Sequence, residues 1–457
     1  MMDKKITGAD KFVVGACLTF IIATFVTAVV VMFTQLIIVD KLHVNNGFTK
    51  FLFAGNDILN NVDNGGAESA YTKKIINWEE QYPFENVEEK AAKRSTVIEE
   101  YDELVKKIEN KISPFVSKYL VGYDKAVELA HGYDGIIDWN FVSFSEYNGI
   151  SELPDGYLAE FKEEREIDEW IDSLVSFKDY VESQGIDFLY VQAPGKVSDH
   201  DDTDISGYVD FSNQNADNLI AGALEGGVEV YDLRDEVVKA GIHNHDLFYR
   251  TDHHWKISTG LWGAQKVLEY CNENYGFNAD TSLLDSDNFE EVLYPAWFLG
   301  SQGKKVTLSR TTPDDIALIY PRYETKFHYV VPAIEMDATG DYSIFYDMDK
   351  VKEKDYYNQD PYGACNYTNQ PVIQIDNLSD VDDKKILIIH ESFGNCVISP
   401  LAICEKRIDS LDLRYFTGSV EAYIKETKPD IVIVMYNVGA IGGEIDWASH
   451  KNVFDFR

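Results

Sequence analysis

Apolar runs and amphipathic stretches alternate through the C-terminal two thirds of the chain. We interpret five of the apolar runs as strands: Ile186–Pro194, Gly227–Leu233, Lys385–His390, Ser410–Phe416 and Asp430–Asn437. Helix-like stretches, with apolar residues three and four positions apart, precede the first run and lie between the later ones. Continuous Val, Ile and Leu runs separated by helices are typical of a parallel sheet buried on both faces. The pattern therefore predicts an α/β fold with a parallel sheet flanked by helices, in which ligands bind beyond the carboxyl ends of the strands.

This alternation stops between about Gly276 and Asp383, in a segment rich in Tyr, Asp and Pro. We expect residues 276–383 to be a long insertion that carries strands of its own. The α/β domain as a whole is predicted to extend over residues 136–457.

An uncharged apolar segment lies near the N-terminus, from Phe12 to Val39. As a helix it would be roughly 40 Å long, which exceeds the ~30 Å hydrocarbon core of a bilayer. It is too long for the apolar part of a signal peptide and has no obvious cleavage site. We predict that residues 12–39 are a transmembrane anchor and that residues 1–11 are cytoplasmic. The protein is then a single-pass protein of the cell membrane with an extracellular C-terminal domain.

Residues 40–135 are predicted to be a linker followed by an amphipathic helical segment. Between Val87 and Phe115, apolar residues recur every three or four positions among many Glu and Lys residues. Such a helix can be a stalk, a dimer contact or a flank of the domain, and the pattern does not distinguish these.

Composition narrows the classes of protein further. A hydrophobic content of 45% with 13% aromatic residues indicates a packed core. The formal net charge of −37 opposes phosphate backbones, so nucleic-acid binding is excluded as a function. The five cysteines do not form a disulfide framework, although Cys271 and Cys365 could pair.

Three residues near the ends of predicted strands are candidates for chemistry. Ser392 follows the third apolar run in the sequence HESFGNC, where helix N–H groups can stabilise an oxyanion. An ordinary N-cap serine is the alternative. Asn437 ends the fifth run, where its amide could donate to the same oxyanion or simply form a turn. Arg414 lies near the end of the fourth run and could meet an anionic or hydroxyl-rich ligand.

The sequence YRTDHHWKIS, from Tyr249 to Ser258, is the second candidate region. A nucleophilic serine needs a base and the base needs an orienting group. Asp252 and His254 are two apart and would point the same way in an extended segment, with Trp255 packed beneath them. A metal site is the competing interpretation, since five residues could contribute to a His/Asp cluster: His243, His245, Asp246, His253 and His254. No recognised metal-ligand spacing is present, however.

The motif TDHHW at residues 251–255 resembles the signature of the DHHW family, bacterial exported proteins similar to the alginate O-acetylation enzymes. Between Phe141 and Gly442, further blocks resemble this family in the same order: VQAPGKVS, WFLGSQGKKV, PDDIALIYP, DPYGACNYTNQPVIQI and KKILIIHESFGNCVISPLA. The resemblance implies an SGNH-hydrolase-like domain with circularly permuted motif order, in which the Asp-x-His-Trp motif precedes the serine block.

The resemblance also implies roles for individual residues. Ser392 is the expected nucleophile, His254 the general base and Asp252 its orienting group, with no cofactor and no metal. Asn437 falls where these proteins place an oxyanion-hole asparagine, and Arg414 is a site contact by position only. The chain departs from the family in having His390-Glu391 before the serine, where an Asp is usual; this change can alter substrate choice or weaken catalysis.

The implied function is a membrane-anchored, extracytoplasmic O-acetyltransferase that modifies a cell-surface polysaccharide. Its implied partners are a glycan acceptor and an acetyl donor, supplied by a multi-spanning membrane acyltransferase. Two alternatives remain open. One is a carbohydrate esterase with the same triad, and the other is a catalytically silent surface-binding or assembly protein of the same fold.

Overall fold

A computed structural model describes residues 146–147, 150–153, 156–198, 210–441 and 453–456 of the chain. The predicted cytoplasmic segment, anchor, linker and amphipathic helix, residues 1–135, lie outside the described residues. Among the helices that are described, none has the length and apolar character needed to cross a membrane.

The described chain contains thirteen strands and eight α-helices, with short 3₁₀ helices between them. The strands are β1 Glu146–Tyr147, β2 Ile150–Glu152, β3 Leu158–Ala159, β4 Asp187–Ala193, β5 Val230–Asp232, β6 Phe289–Phe298, β7 Asp314–Pro321, β8 Phe327–Val331, β9 Met336–Gly340, β10 Val372–Asn377, β11 Asp382–His390, β12 Glu405–Leu411 and β13 Ile431–Asn437. The α-helices are α1 Asp168–Ser183, α2 Ser212–Glu225, α3 Leu233–Ala240, α4 Ile257–Asn274, α5 Ser301–Val306, α6 Ile398–Cys404, α7 Val420–Thr427 and α8 Val438–Ile441.

Eight strands form one central sheet in the order β5-β4-β13-β11-β12-β10-β8-β9. The first five are parallel to one another, whereas β10, β8 and β9 are each antiparallel to their neighbours. The predicted α/β fold with a large sheet is therefore confirmed, but the sheet is mixed and not wholly parallel. Its central strands are buried on both faces: Ile386 and Ile388 of β11 join one apolar cluster, and Leu387 and Ile389 join the other.

The segment predicted as an insertion supplies the three antiparallel strands. β8 alternates buried and half-buried residues, which suits a strand near the sheet margin with one face toward the core. Residues of β6 and β7 form a separate two-stranded antiparallel sheet within the same segment.

The fourth predicted strand, Ser410–Phe416, is misplaced by about five residues. The observed strand β12 begins at Glu405, directly after α6, and ends at Leu411. Its first half is charged, and Arg407 is accommodated there because it forms ion pairs with Asp376 and Asp409. An apolar run cannot reveal a strand whose charges are neutralised by pairing across the sheet.

The cysteines of the described chain are all free and buried: Cys271, Cys365, Cys396 and Cys404. The pairing of Cys271 with Cys365 that the sequence allowed is thus not formed.

Candidate active site

The candidate nucleophile lies where two neighbouring parallel strands end. β11 ends at His390 and β13 at Asn437, and the two strands pair in register from Ile386 to His390. Ser392 begins the 3₁₀ helix Ser392–Cys396 immediately beyond β11, and the carboxyl ends of parallel strands share one edge of the sheet. Ser392 and Asn437 therefore lie at the same edge of the sheet.

The loop with Asp252 and His254 is a hydrogen-bonded turn and not an extended segment. Its ends are joined by a bridge between Phe248 and Trp255 and by a bond from the Tyr249 N–H to the His254 carbonyl. Asp252 Oδ1 accepts the N–H of His254 at 2.9 Å, the contact by which Asp side chains close such turns. The turn directs both side chains inward, where Asp252 is 3% and His254 9% exposed.

Asp252, His254 and Ser392 form a continuous hydrogen-bonded chain. His254 Nδ1 lies 2.5 Å from Asp252 Oδ1, and His254 Nε2 lies 2.7 Å from Ser392 Oγ. A carboxylate accepts only a donated proton, so it selects the tautomer with hydrogen on Nδ1 and leaves Nε2 as the acceptor for the serine hydroxyl. His254 and Ser392 are 138 positions apart in the sequence but within hydrogen-bond reach in the fold.

The carboxylate of Asp252 is fixed on both oxygens. Its Oδ2 accepts the N–H of Ser301 at 2.5 Å, at the start of α5. Gly300 makes this approach possible, since a Cβ there would lie 2.2 Å from the Asp252 Cβ. Burial alone would raise the pKa of Asp252, but the imidazoles of His254 and His253 and the bonds from His254 outweigh it and hold the pKa well below its usual range. Asp252 is thus an anion.

Glu391 stands where the resemblance led us to expect an aspartate, and it links three parts of the site. Its Oε2 accepts the N–H of Phe393 at 3.1 Å and lies 3.1 Å from Ser392 Oγ. Its Oε1 accepts the N–H of Asn437 at 3.2 Å, across the gap between β11 and β13. The longer side chain therefore caps the 3₁₀ helix and joins the two strand ends while leaving the contact between His254 and Ser392 intact.

Among the described residues, His390 hydrogen-bonds to the main chain and to β12 and not to Ser392. Its Nδ1 donates to the Glu391 carbonyl at 2.6 Å, and its Nε2 accepts from the Ser410 hydroxyl of β12 at 2.6 Å. Burial lowers its pKa, and the cation of Arg414 adds to this against the opposing carboxylates of Asp412 and Glu391. This histidine is a neutral structural residue of the sheet.

Two donors at the nucleophile are available for an oxyanion. Within the described residues, the Ser392 N–H makes no hydrogen bond. The side-chain oxygen of Asn437 accepts the N–H of Gly439 at 2.6 Å, whereas its Nδ2 has no partner in the same part of the chain. Asn437 and Ser392 line the same cavity.

This open cavity has a volume of about 350 Å³. Its charged and ionisable lining residues come from several elements: Glu160, Lys162, Lys196, Asp210, His253, Glu391 and Arg414. Arg414 reaches it while held by Asp412, whose carboxylate accepts from Nε at 2.9 Å and Nη2 at 2.7 Å. The cavity is large enough for part of a sugar chain and has a mixed charge.

Within the described residues, the group that could hold a metal ion includes only His253 and His254 of the predicted cluster, together with Asp252. Asp252, His253 and His254 offer ligand atoms that all lie within 4.8 Å of one another. Both nitrogens of His254 are engaged, however, and His253 Nδ1 lies 3.0 Å from the Ser301 hydroxyl. His245 stacks on Tyr157 instead, with ring centroids 4.2 Å apart. The arrangement fits proton transfer better than metal coordination.

Some residues and contacts of the site were not identified from the sequence. Tyr362 stacks on His254, and the Trp255 indole donates to the Phe393 carbonyl at 3.1 Å. Trp255 thus holds the nucleophile turn as well as packing beneath it. Lys196, only 7% exposed, donates to Gln302 and to the Leu158 carbonyl beside the cavity. The blocks VQAPGKVS and DPYGACNYTNQPVIQI contain Lys196 and Tyr362, so the resemblance marked their positions but not their contacts.

Comparison with known proteins agrees with this fold. Residues 154–282 match the family model described as the SGNH hydrolase-like domain of the acetyltransferase AlgX. The predicted resemblance to SGNH-hydrolase-like acetyltransferases is thereby confirmed. No match was found among curated protein sequences.

Several solved structures are similar to the chain. PatB1 of Bacillus cereus, solved with a sulfonyl adduct, has a TM-score of 0.55 at 17% identity and covers 67% of this chain and 98% of that chain. A DHHW family protein from Eubacterium siraeum has a TM-score of 0.49 at 16% identity, covering 66% and 95%. The O-acetyltransferase domain of Pseudomonas putida AlgJ has a TM-score of 0.40 at 14% identity, covering 68% and 99%. The likeness to PatB1 shows a shared fold.

Proposed function

We propose that this protein is a serine-dependent O-acetyltransferase that acts on a cell-surface polysaccharide, anchored to the membrane by residues 12–39 with its catalytic domain outside the cell. The observation that carries the proposal is the chain of contacts from Asp252 through His254 to the Ser392 hydroxyl, at 2.5 and 2.7 Å. The match to an acetyltransferase family model supports the type of reaction.

In the proposed first half-reaction, His254 Nε2 takes the Ser392 hydroxyl proton as Oγ attacks the acetyl carbonyl. The Ser392 N–H and the Asn437 amide stabilise the oxyanion of the tetrahedral intermediate. The intermediate collapses to an acetyl-serine, and the donor's leaving oxygen departs with the proton held by His254. Asp252 stabilises the imidazolium while it exists.

In the second half-reaction, His254 removes a proton from a sugar hydroxyl, which attacks the acetyl-serine carbonyl. A second tetrahedral intermediate collapses to the acetylated sugar, and the proton on His254 returns to Ser392 Oγ. The open cavity beside Ser392 supports a glycan acceptor, with Arg414 as one of its contacts. The acetyl donor is proposed to come from a multi-spanning membrane acyltransferase.

Labelling tests the nucleophile directly. A sulfonyl fluoride forms a bond between its sulfur and an activated serine oxygen and releases fluoride. We expect one label per chain on Ser392 of the purified full-length protein, none in Ser392→Ala, and unchanged labelling in Ser183→Ala, whose serine is at the exposed end of α1. A wild-type protein that takes no label would refute the enzyme function and favour the silent surface-binding alternative.

The acceptor is tested with an activated acetate ester, with and without oligosaccharides. Acetylated sugar supports the transferase. Free acetate alone supports the esterase, which the cavity's openness to water also allows. We expect a chelator to leave either activity unchanged; loss of activity together with bound metal would restore the metal interpretation.

A further inference from the structure

Tyr362 contacts both the base and the nucleophile turn of the site. It lies in the 3₁₀ helix Pro361–Ala364, within the segment predicted as an insertion, and is 2% exposed. Its ring stacks on that of His254, with centroids 4.1 Å apart and planes inclined by 17°. Its hydroxyl lies 3.2 Å from the carbonyl oxygen of Ser392.

The hydroxyl of Tyr362 can serve only as a neutral donor to that carbonyl. Burial raises its pKa well above the usual value, and the neighbouring Cys396 thiol, 3.3 Å away, adds to the shift. The next carbonyl, that of Phe393, accepts the Trp255 indole N–H at 3.1 Å. Two consecutive carbonyls of the nucleophile turn are therefore held by aromatic donors from different loops, which fixes the orientation of the peptide groups beside Ser392.

We infer that Tyr362 is a positioning residue that holds the His254 ring in line with Ser392 and stabilises its imidazolium form. This inference rests on the proposed function. The stack presents the electron-rich face of the phenol to an imidazole that gains a proton in each half-reaction, and aromatic faces attract cations. The Tyr362 ring stabilises the imidazolium more than the neutral imidazole, so the contact favours the proton transfer from Ser392 to His254.

Two substitutions distinguish the contribution of the Tyr362 ring from that of its hydroxyl. Tyr362→Phe keeps the stack and removes the bond to the Ser392 carbonyl. Tyr362→Met fills the buried space without an aromatic face. The matched control is Tyr356→Phe, which removes another hydroxyl of the same segment that donates to a main-chain carbonyl, that of Ala296, outside the site.

The first measurement is an NMR spectrum of the His254 ring protons in the full-length protein with isotope-labelled histidine, the signals identified by their loss in His254→Gln. The face of a stacked aromatic ring shifts such signals upfield, so we expect them to move downfield in Tyr362→Met and to keep their wild-type positions in Tyr362→Phe and the control. Signals at the wild-type positions in Tyr362→Met would overturn the inference, whatever the activity.

The second measurement is turnover of an activated acetate ester. We expect kcat to fall roughly tenfold in Tyr362→Met and about threefold in Tyr362→Phe, with KM unchanged, since neither change touches the substrate. If Tyr362→Met does not fold, Tyr362→Leu, which also lacks an aromatic face, takes its place: wild-type kcat in that variant overturns the inference. A wild-type protein without activity refutes the proposed function instead, while the NMR spectrum still tests the stack.

Discussion

Glu405 is a buried acid whose ionisation should destabilise the fold. It is fully buried at the start of β12, and neither of its carboxylate oxygens has a hydrogen-bond partner within the described residues. Burial raises its pKa to about 9, and the nearby carboxylates of Asp382 and Asp430 add to this against the attraction of Lys384. The native state therefore keeps this proton at neutral pH, whereas the unfolded chain releases it at a pKa near 4.5.

Because the native state binds the extra proton, the free energy of unfolding decreases as pH rises from about 4.5 to about 9. The favourable contribution is complete below pH 4.5 and is lost as pH approaches 9. Between pH 4.5 and pH 7 the pH rises by about 2.5 units. At 1.36 kcal/mol per unit, the free energy of unfolding therefore falls by roughly 3 kcal/mol. Glu405→Gln, which has no charge, should escape this loss.

Urea unfolding at pH 5, 7 and 8.5 measures the effect. We expect Glu405→Gln to match the wild type near pH 5 and to be about 3 kcal/mol more stable at pH 7, with a larger gap at pH 8.5. Glu353→Gln, at an exposed position, is the control and should show no such trend. Labelling of Ser392 should be unaffected, because the two residues lie at opposite ends of the sheet. A stability gap that does not change with pH would refute the argument.

Three further predictions concern the site. Asp252→Asn should reduce the rate of serine labelling by about 10³–10⁴, because the neutral amide does not stabilise the imidazolium and its N–H can donate to Nδ1, which favours the wrong tautomer of the base; circular dichroism should show an unchanged fold. Gly394→Ala places a Cβ 2.3 Å from the His390 ring, and we expect a loss of about 1–3 kcal/mol in thermal unfolding together with slower labelling. Burial depresses the pKa of His390, so its contribution to stability is present above pH 6.5 and lost below it. His390→Gln should therefore lose less stability than the wild type between pH 7 and pH 5; equal losses would contradict this.

The apolar pattern predicted β4 and β13 well and β12, β10 and β8 poorly. The runs Ile186–Pro194 and Asp430–Asn437 correspond to β4 and β13 within one residue at each end. Such strands are buried on both faces, so nearly every residue is apolar and the signal is local. β8 and β10 alternate in burial, and their place beside β12 depends on pairing with residues far along the chain. A run of apolar residues contains no information about that pairing.

The sequence by itself determined which residue types are available for chemistry. The letters of TDHHW and HESFGNC, together with the order of the blocks, identified Asp252, His254 and Ser392 as candidates. The tertiary structure decided their contacts, because the 2.7 Å approach of His254 to Ser392 spans 138 residues and depends on how the sheet assembles. It also decided the roles of Glu391 and Tyr362. Hydrogen bonds and ring stacking act over a few ångströms, and only the packed fold sets distances on that scale.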